Sequence, residues 1–331
     1  MLLVPLHGIA SRHDLPLPFP FVVAGASAAL GLSFLVLFLA WRRPRYRGAA
    51  GRPLPTLSRV VGAAPVRVGM RGLVLVLYVV IALALALGPD RLTNPVFGFV
   101  FVWMWVGLVP LSVLAGPVWR ATNPLRVLHR GLCTAARIDP DTGLLPLPWW
   151  VGVWPAALGL LAFAWLELVQ PDRTTLTVLR LWALAWLVTL VLGAVVFGAA
   201  WITAADPFEA YASTVAEISW LRADPAQDSG PVLLRRVNPL AGLSRWVPPP
   251  GAVGVVAVLL GSTAFDSFAN TTWWISTVQA SSLPPTLWAS AGLVGLVVVV
   301  AGTFSAAALA MARYGADRRR SAWAYPRLMV G

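Results

Sequence analysis

The 331 residues include one cysteine, three histidines and no lysine. The lone Cys133 excludes an intramolecular disulfide and any paired-thiol metal or redox motif. Three histidines, His7, His13 and His129, are too few for a histidine-rich metal centre. Charge is scarce as well: 11% of the residues are charged, against about a quarter in an ordinary soluble domain. That is too little to solvate the surface of a globule this long, so a soluble fold is excluded. Disorder requires low hydrophobicity and is excluded too, because 58% of the chain is hydrophobic. No Walker motif, G-x-S-x-G elbow, H-E-x-x-H or G-x-G-x-x-G occurs, which removes the support for ATP-driven, serine-hydrolase and zincin chemistry.

What is present is long apolar runs, with a mean hydropathy of +0.76. A helix needs roughly 20 mostly apolar residues to cross a bilayer. Seven stretches qualify: Phe21–Trp41, Gly72–Gly88, Val96–Trp119, Pro148–Gln170, Leu181–Thr203, Gly251–Asn270 and Leu287–Met311. Trp41, Trp119, Trp149, Trp150, Trp273, Trp274 and Trp288 fall at their ends, where aromatic side chains anchor helices at the membrane–water interface. Pro110 and Pro117 are expected to kink the third span and Pro155 the fourth.

The net charge of +12 resolves into a sidedness. With the N-terminus outside, the inner segments 42–71, 120–147, 204–250 and 312–331 hold 21 arginines and eight acids, and the remainder holds four arginines and five acids. Positive-inside asymmetry of this kind sets orientation, and it also accounts for the basicity without nucleic-acid binding. The expected fold is therefore an all-α polytopic membrane protein forming a single domain over 1–331. An outer arm, 1–20, precedes a seven-helix bundle, 21–311, and a basic cytoplasmic tail, 312–331, with the C-terminus inside. The arm lacks a basic start and an uninterrupted apolar core, so it reads as a translocated segment and not a signal peptide. The arginine-only basic set, with abundant Ala, Gly, Pro and Val, fits a GC-rich bacterial genome and a plasma-membrane location.

Two inner loops carry helix-start signals, an Asx residue followed by proline. Asn123-Pro124 leads into Leu125, Leu128 and Leu132 on one face. Asp206-Pro207, with Glu209 at capping-box spacing, leads into Phe208, Tyr211, Val215 and Ile218. Both are expected as amphipathic helices on the cytoplasmic membrane surface, in contact with anionic lipid. Each follows an out-looped helix pair, either as an internal repeat or from the shared need to restart a helix. Arg222–Pro250 is the expected flexible loop.

Ionisable groups inside spans are costly, about 2.5–3.5 kcal/mol on insertion scales, and mark candidate sites. Asp266 lies in the outer third of the sixth span. Ser262, Asp266 and Asn270 recur at i, i+4, i+8 on one helix face, a polar stripe that opens outward. Glu167 is near the outer end of the fourth span, where its carboxylate reaches for the headgroups. On the same side, the arm carries His7, His13 and Asp14, which with Asp266 form a candidate divalent-metal set or an acid–base pair of His13 and Asp266. Ser262, Asn270, Glu167 and Asp14 are the accompanying binding candidates. The alternative for Asp266 is a hydrogen-bonded structural acid, and for the arm a solvated segment over the helix ends. His129 is expected at the inner interface.

The motifs His7-Gly8-Ile9, Arg12 and Asp14-Leu15-Pro16-Leu17-Pro18 are followed by Gly116-Pro117-Val118-Trp119-Arg120, Asn123-Pro124-Leu125-Arg126 and His129-Arg130. Asp206-Pro207-Phe208-Glu209 and Ser262-Thr263-Ala264-Phe265-Asp266 complete the set. Over nearly its whole length, the chain resembles a group of actinobacterial polytopic membrane proteins labelled fenitrothion hydrolase. The resemblance implies cleavage of an organophosphate or related ester by a membrane-embedded site. Two classes of function follow from the sequence. One is a non-enzymatic accessory, assembly or transport-type protein with an outward polar site around Asp266, working with a membrane-protein partner or as a homo-oligomer. The other is an outward-facing hydrolase using His7, His13, Asp14 and Asp266. The ionisable groups are expected away from the bilayer midplane, which counts against ion coupling.

Overall fold

The computed structural model describes residues 19–40, 51–224, 232–243 and 246–314. The chain divides between Arg47 and Gly48 into two compact units. The first contributes helix α1, Phe19–Ala40. It is apolar around its whole circumference, and Leu30, Leu32 and Phe34 are more than half exposed, as expected of a helix whose solvent is lipid.

The second unit is mostly helical. It opens with strand β1, Arg52–Pro53, and helices α2, Pro55–Gly62, and α3, Ala64–Leu87. Helix α4, Pro95–Ala115, follows, then the short α5, Val118–Thr122, and α6, Pro124–Ala136. Next come α7, Trp154–Leu168, α8, Leu176–Phe197, the short α9, Ala199–Ala205, and α10, Pro207–Ala216. Strands β2, Leu221–Asp224, and β3, Leu233–Arg236, precede α11, Pro239–Leu243. Helices α12, Ala252–Ala269, α13, Thr272–Ala280, and α14, Pro285–Tyr314, complete the described unit. Among the described residues, five helices are long and apolar enough to cross a membrane: α3, α4, α8, α12 and α14. Residues Phe21–Val36 of α1 and all of α7 form shorter apolar helices.

Proline and glycine set the ends that hydropathy leaves open. Pro155 does not kink the fourth apolar stretch. It sits in the first turn of α7, where a missing N–H is harmless, and so the helix starts at Trp154, not at residue 148. Pro117 likewise lies outside α4, which Gly116 ends at φ 84°. Inside α4, residues Gly98–Gly107 wind as a π-helix, which stops just short of Pro110. The turn after α3 is tied by side chains. Asn94 caps α4 by accepting from the Val96 N–H and donates to the Ala84 and Pro89 carbonyls. Arg180 donates to the Leu85 and Ala86 carbonyls, which satisfies acceptors at the C-terminal end of α3.

The all-α expectation misses a small antiparallel sheet of order β1-β3-β2. Arg222–Pro250 is accordingly not simply a loop: its described parts supply most of β2, all of β3 and α11. The core lies between α4, α7, α8, α10 and α12, and Phe163 and Phe208, both fully buried, stand at its centre. Around Phe208 pack Trp119, Phe163, Trp182 and Trp186, with ring centroids 5.1 to 6.2 Å away. Trp119 is therefore a core residue, 3% exposed, and not an interfacial anchor. Trp149, Trp150 and Trp273 are well exposed, and Trp41 lies outside the described residues.

Candidate functional site where two broken helices meet

The same backbone course occurs twice. After α4, Gly116 turns the chain at φ 84°, ψ −159°, α5 runs one short turn, and Asn123-Pro124 starts α6. After α8, Gly198 turns it at φ 68°, ψ −165°, α9 runs two short turns, and Asp206-Pro207 starts α10. Both glycines occupy a backbone region essentially closed to other residues. Each Asx side chain accepts from the N–H two residues on, Asn123 from Leu125 and Asp206 from Phe208, both at 3.0 Å. The two segments thus repeat one local backbone course, and each follows a pair of consecutive helices, α3–α4 and α7–α8.

Helix α9 doubles back along α8. Trp201 Nε1 donates to the Thr189 carbonyl at 3.0 Å and its ring stacks on Phe197. Gly193 makes the contact possible, since a Cβ there would fall 2.0 Å from Trp201 Nε1. This return carries the Asp206-Pro207-Phe208 turn inward, where Phe208 meets Trp186, half-way along the 22-residue α8. Helix α10 is consequently buried and not interfacial: Pro207 through Ala212 are all buried, and the Tyr211 hydroxyl donates to the Trp105 carbonyl in the π-helical turn of α4. The apolar stripe Phe208, Tyr211 and Val215 faces protein. Helix α6 differs, since Val127, Leu128 and Leu132 are exposed.

The two Asx residues touch. Asn123 Nδ2 donates to Asp206 Oδ2 at 2.7 Å and to Glu209 Oε2 at 3.1 Å. Trp119 Nε1 donates to Asp206 Oδ2 at 2.9 Å. Three residues past each Asx stand opposite charges that pair: Arg126 donates from Nε to Glu209 Oε2 at 2.7 Å and from Nη2 to Glu209 Oε1 at 2.5 Å. Arg126 Nη2 also donates to Thr203 Oγ1. Asn123, Asp206 and Glu209 are at most 1% exposed, and Arg126 is 8% exposed. Every carboxylate oxygen of the two acids has a donor, which is the condition for burying such groups. Arg120, more than half exposed, lies 3.6 Å from Glu209 Oε1 and links the cluster to the surface. On its other side the aromatic core closes it off. Ionisable chemistry thus sits inside the bundle, contrary to the expectation from sequence.

The sequence-derived candidates divide. His7, His13 and Asp14 lie outside the described residues. The stripe on α12 is split: Ser262 is buried and donates to the Leu259 carbonyl, whereas Asp266 and Asn270 are exposed. Asn270 Nδ2 donates to the Asp266 carbonyl at 2.7 Å. Glu167 and Asp266 are brought close enough for their charges to repel, with Arg173 attracting Glu167. Glu167 Oε2 is buried without a hydrogen-bond partner among the described residues. Among those residues no group of three or more His, Cys, Asp and Glu could hold a metal. On α6, His129 Nε2 lies 3.6 Å from Cys133 Sγ. Partial burial, and then Arg126, push its imidazole below the ordinary value.

The Asn123–Asp206 and Arg126–Glu209 pairs were missed as a site, yet they left a signal. A glycine precedes each Asx-Pro by seven or eight residues, and the residue at +3 is Arg in one motif and Glu in the other. Compared with protein-family models, curated proteins and solved structures, the chain matches none.

Proposed function

We propose that the protein is a seven-span plasma-membrane protein, N-terminus outside and C-terminus inside, of the non-enzymatic accessory, assembly or transport class. Within that class transport-type action is favoured. One observation carries this reading: two interrupted helices, in equivalent places of a repeat, meet N-terminus to N-terminus around a buried ionisable cluster. Broken helices meeting at a repeat interface near mid-membrane are where carriers place polar solutes and coupling ions. In this arrangement Arg126–Glu209 acts as a latch, held by charge, between the two repeats. Arg120 offers an inner approach, and the Trp119, Phe163 and Trp186 rings close the outer one. Helix α7, only 15 residues long, or about 22 Å at 1.5 Å per residue, spans together with the turns before it.

The test is whether the latch moves. In inverted vesicles, Thr203→Cys in a Cys133→Ser background places a thiol beside Arg126. A latch predicts that its labelling by an impermeant maleimide changes several-fold when a proton gradient or a membrane potential is imposed. Equal rates under all conditions would leave a rigid clasp, and with it an accessory role.

A second reading, the outward-facing site, is favoured by the proximity of Glu167 and Asp266 and the unpartnered Glu167 oxygen. It includes the hydrolase alternative, in which His7, His13 and Asp14 join Asp266 around a divalent metal. Phosphotriester turnover by wild type, lost in Asp266→Asn, would support it. Purified protein that is inert and metal-free would end it.

A further inference from the structure

We propose that the recess on the three-stranded sheet, built around Arg52, Arg236, Trp220 and Asn238, binds the phosphate of an anionic phospholipid headgroup. Residues directly opposite each other on neighbouring strands share a face, and like charges so placed repel. The sheet contains two such arginine pairs: Arg222 opposite Arg235, and Arg52 opposite Arg236. The first pair is neutralised, Arg222 by Glu217 at 2.7 Å and Arg235 by Asp224 at 2.5 Å. The second pair has no ion-pair partner among the described residues. It lines instead a recess of about 410 Å³, a size suited to a small ligand group. The juxtaposition of two guanidinium groups without a carboxylate is what a bound anion would stabilise.

The lining supplies donors. Guanidinium groups bind phosphate through paired N–H donors. The Asn238 Oδ1 accepts from the Leu240 N–H, which fixes the amide and leaves its Nδ2 to serve as a donor. Trp220 forms a flat wall, with Arg236 Cζ 5.9 Å from its ring centroid. Its 44% exposure suits an aromatic at a membrane interface.

Position favours a lipid over a soluble phosphate. The Trp220 N–H donates to the Val113 carbonyl in the last turn of α4, and β1 runs straight into α2 and α3. The recess therefore lies at the ends of two spanning helices, at headgroup level. Its assignment to the inner leaflet, where anionic lipid is enriched, rests on the orientation proposed above; the site itself does not.

The experiment titrates the full chain in an uncharged detergent with short-chain phosphatidylglycerol, short-chain phosphatidylcholine and inorganic phosphate. Saturable binding of phosphatidylglycerol is expected, at least tenfold weaker in Arg52→Gln/Arg236→Gln and retained in the equal-charge control Arg59→Gln/Arg130→Gln. Equal weakening in both double variants would mean net charge alone and overturn the site. Phosphatidylcholine or inorganic phosphate binding as tightly as phosphatidylglycerol would overturn the anionic-lipid assignment. Because an empty like-charge pair is unfavourable, the single variant Arg52→Gln should raise the lipid-free melting temperature and remove its rise on adding phosphatidylglycerol. A lower melting temperature with the lipid response intact would overturn the proposal. Sidedness is read separately, by labelling Leu57→Cys in a Cys133→Ser background. Labelling from outside would contradict the orientation and leave the recess intact.

Discussion

Replacing Arg126 and Glu209 by methionine, singly and together, tests the buried latch quantitatively. Glu209 accepts two bonds from Arg126 and one from Asn123, with side chains 1% and 9% exposed. Removing one partner of such a pair strands a charge away from water, at a cost of about 3–5 kcal/mol. Each single variant should lose that much, and independent effects would add to roughly 6–10 kcal/mol. The double variant strands nothing. Methionine fills much of the vacated volume, Asn123 keeps Asp206 as acceptor, and Thr203 is half-buried with access to other partners. Its loss should stay within about 2 kcal/mol, since apolar replacement of a buried ion pair is often close to neutral. The coupling energy is then about 4 kcal/mol or more. Reversible unfolding in mixed detergent micelles, followed by tryptophan fluorescence, measures it. A double variant whose loss equals the sum of the singles would refute the pairing as described.

Four further outcomes follow. Gly193→Ala should drive Trp201 off α8 and cost about 1–3 kcal/mol, whereas Gly31→Ala, with open space around its Cβ, should be neutral in the same thermal melts. Gly116→Ala and Gly198→Ala each force a side chain into a glycine-only conformation and should lower stability by about 1–3 kcal/mol. Phe208→Ala removes the ring at the centre of the aromatic core and should cost about 3–5 kcal/mol; a smaller loss than that of Phe34→Ala on exposed α1 would contradict the core assignment. Glu167→Gln removes an ionisable group whose Oε2 is buried at the C-terminal end of α7 without a hydrogen-bond partner among the described residues, so it should raise the melting temperature at neutral pH, and a clear fall would contradict that burial.

Much of the architecture was legible because apolar runs near twenty residues have one common use. Gly251–Asn270 and Leu287–Met311 match α12 and α14 within a few residues at either end. The ends failed where hydropathy continues across a break. Ala199, Ala200, Trp201 and Ile202 are as apolar as the helix before them, so the turn at Gly198 stays hidden in an average over the window. The site failed for a related reason. Periodicity in Phe208, Tyr211 and Val215 says that one face is apolar, not whether lipid or protein covers it. Glu209 marks the opposite face as polar, and its neutralising partner Arg126 lies 83 residues earlier. Such a pairing is a property of the folded repeat, and its trace in the sequence is confined to the shared glycine spacing and the opposite charges at +3. Asp266, which stood out for its isolation in the sequence, is exposed on α12.

The Asp206-Pro207 helix lies inside the bundle. Impermeant maleimide labelling of Ala212→Cys against Val127→Cys, each in a Cys133→Ser background, tests it most directly. Ala212 is 1% exposed on α10 and Val127 is 59% exposed on α6. In inverted vesicles Val127→Cys should react, and Ala212→Cys should react only after unfolding. Rapid labelling of both would place α10 on the membrane surface and contradict it.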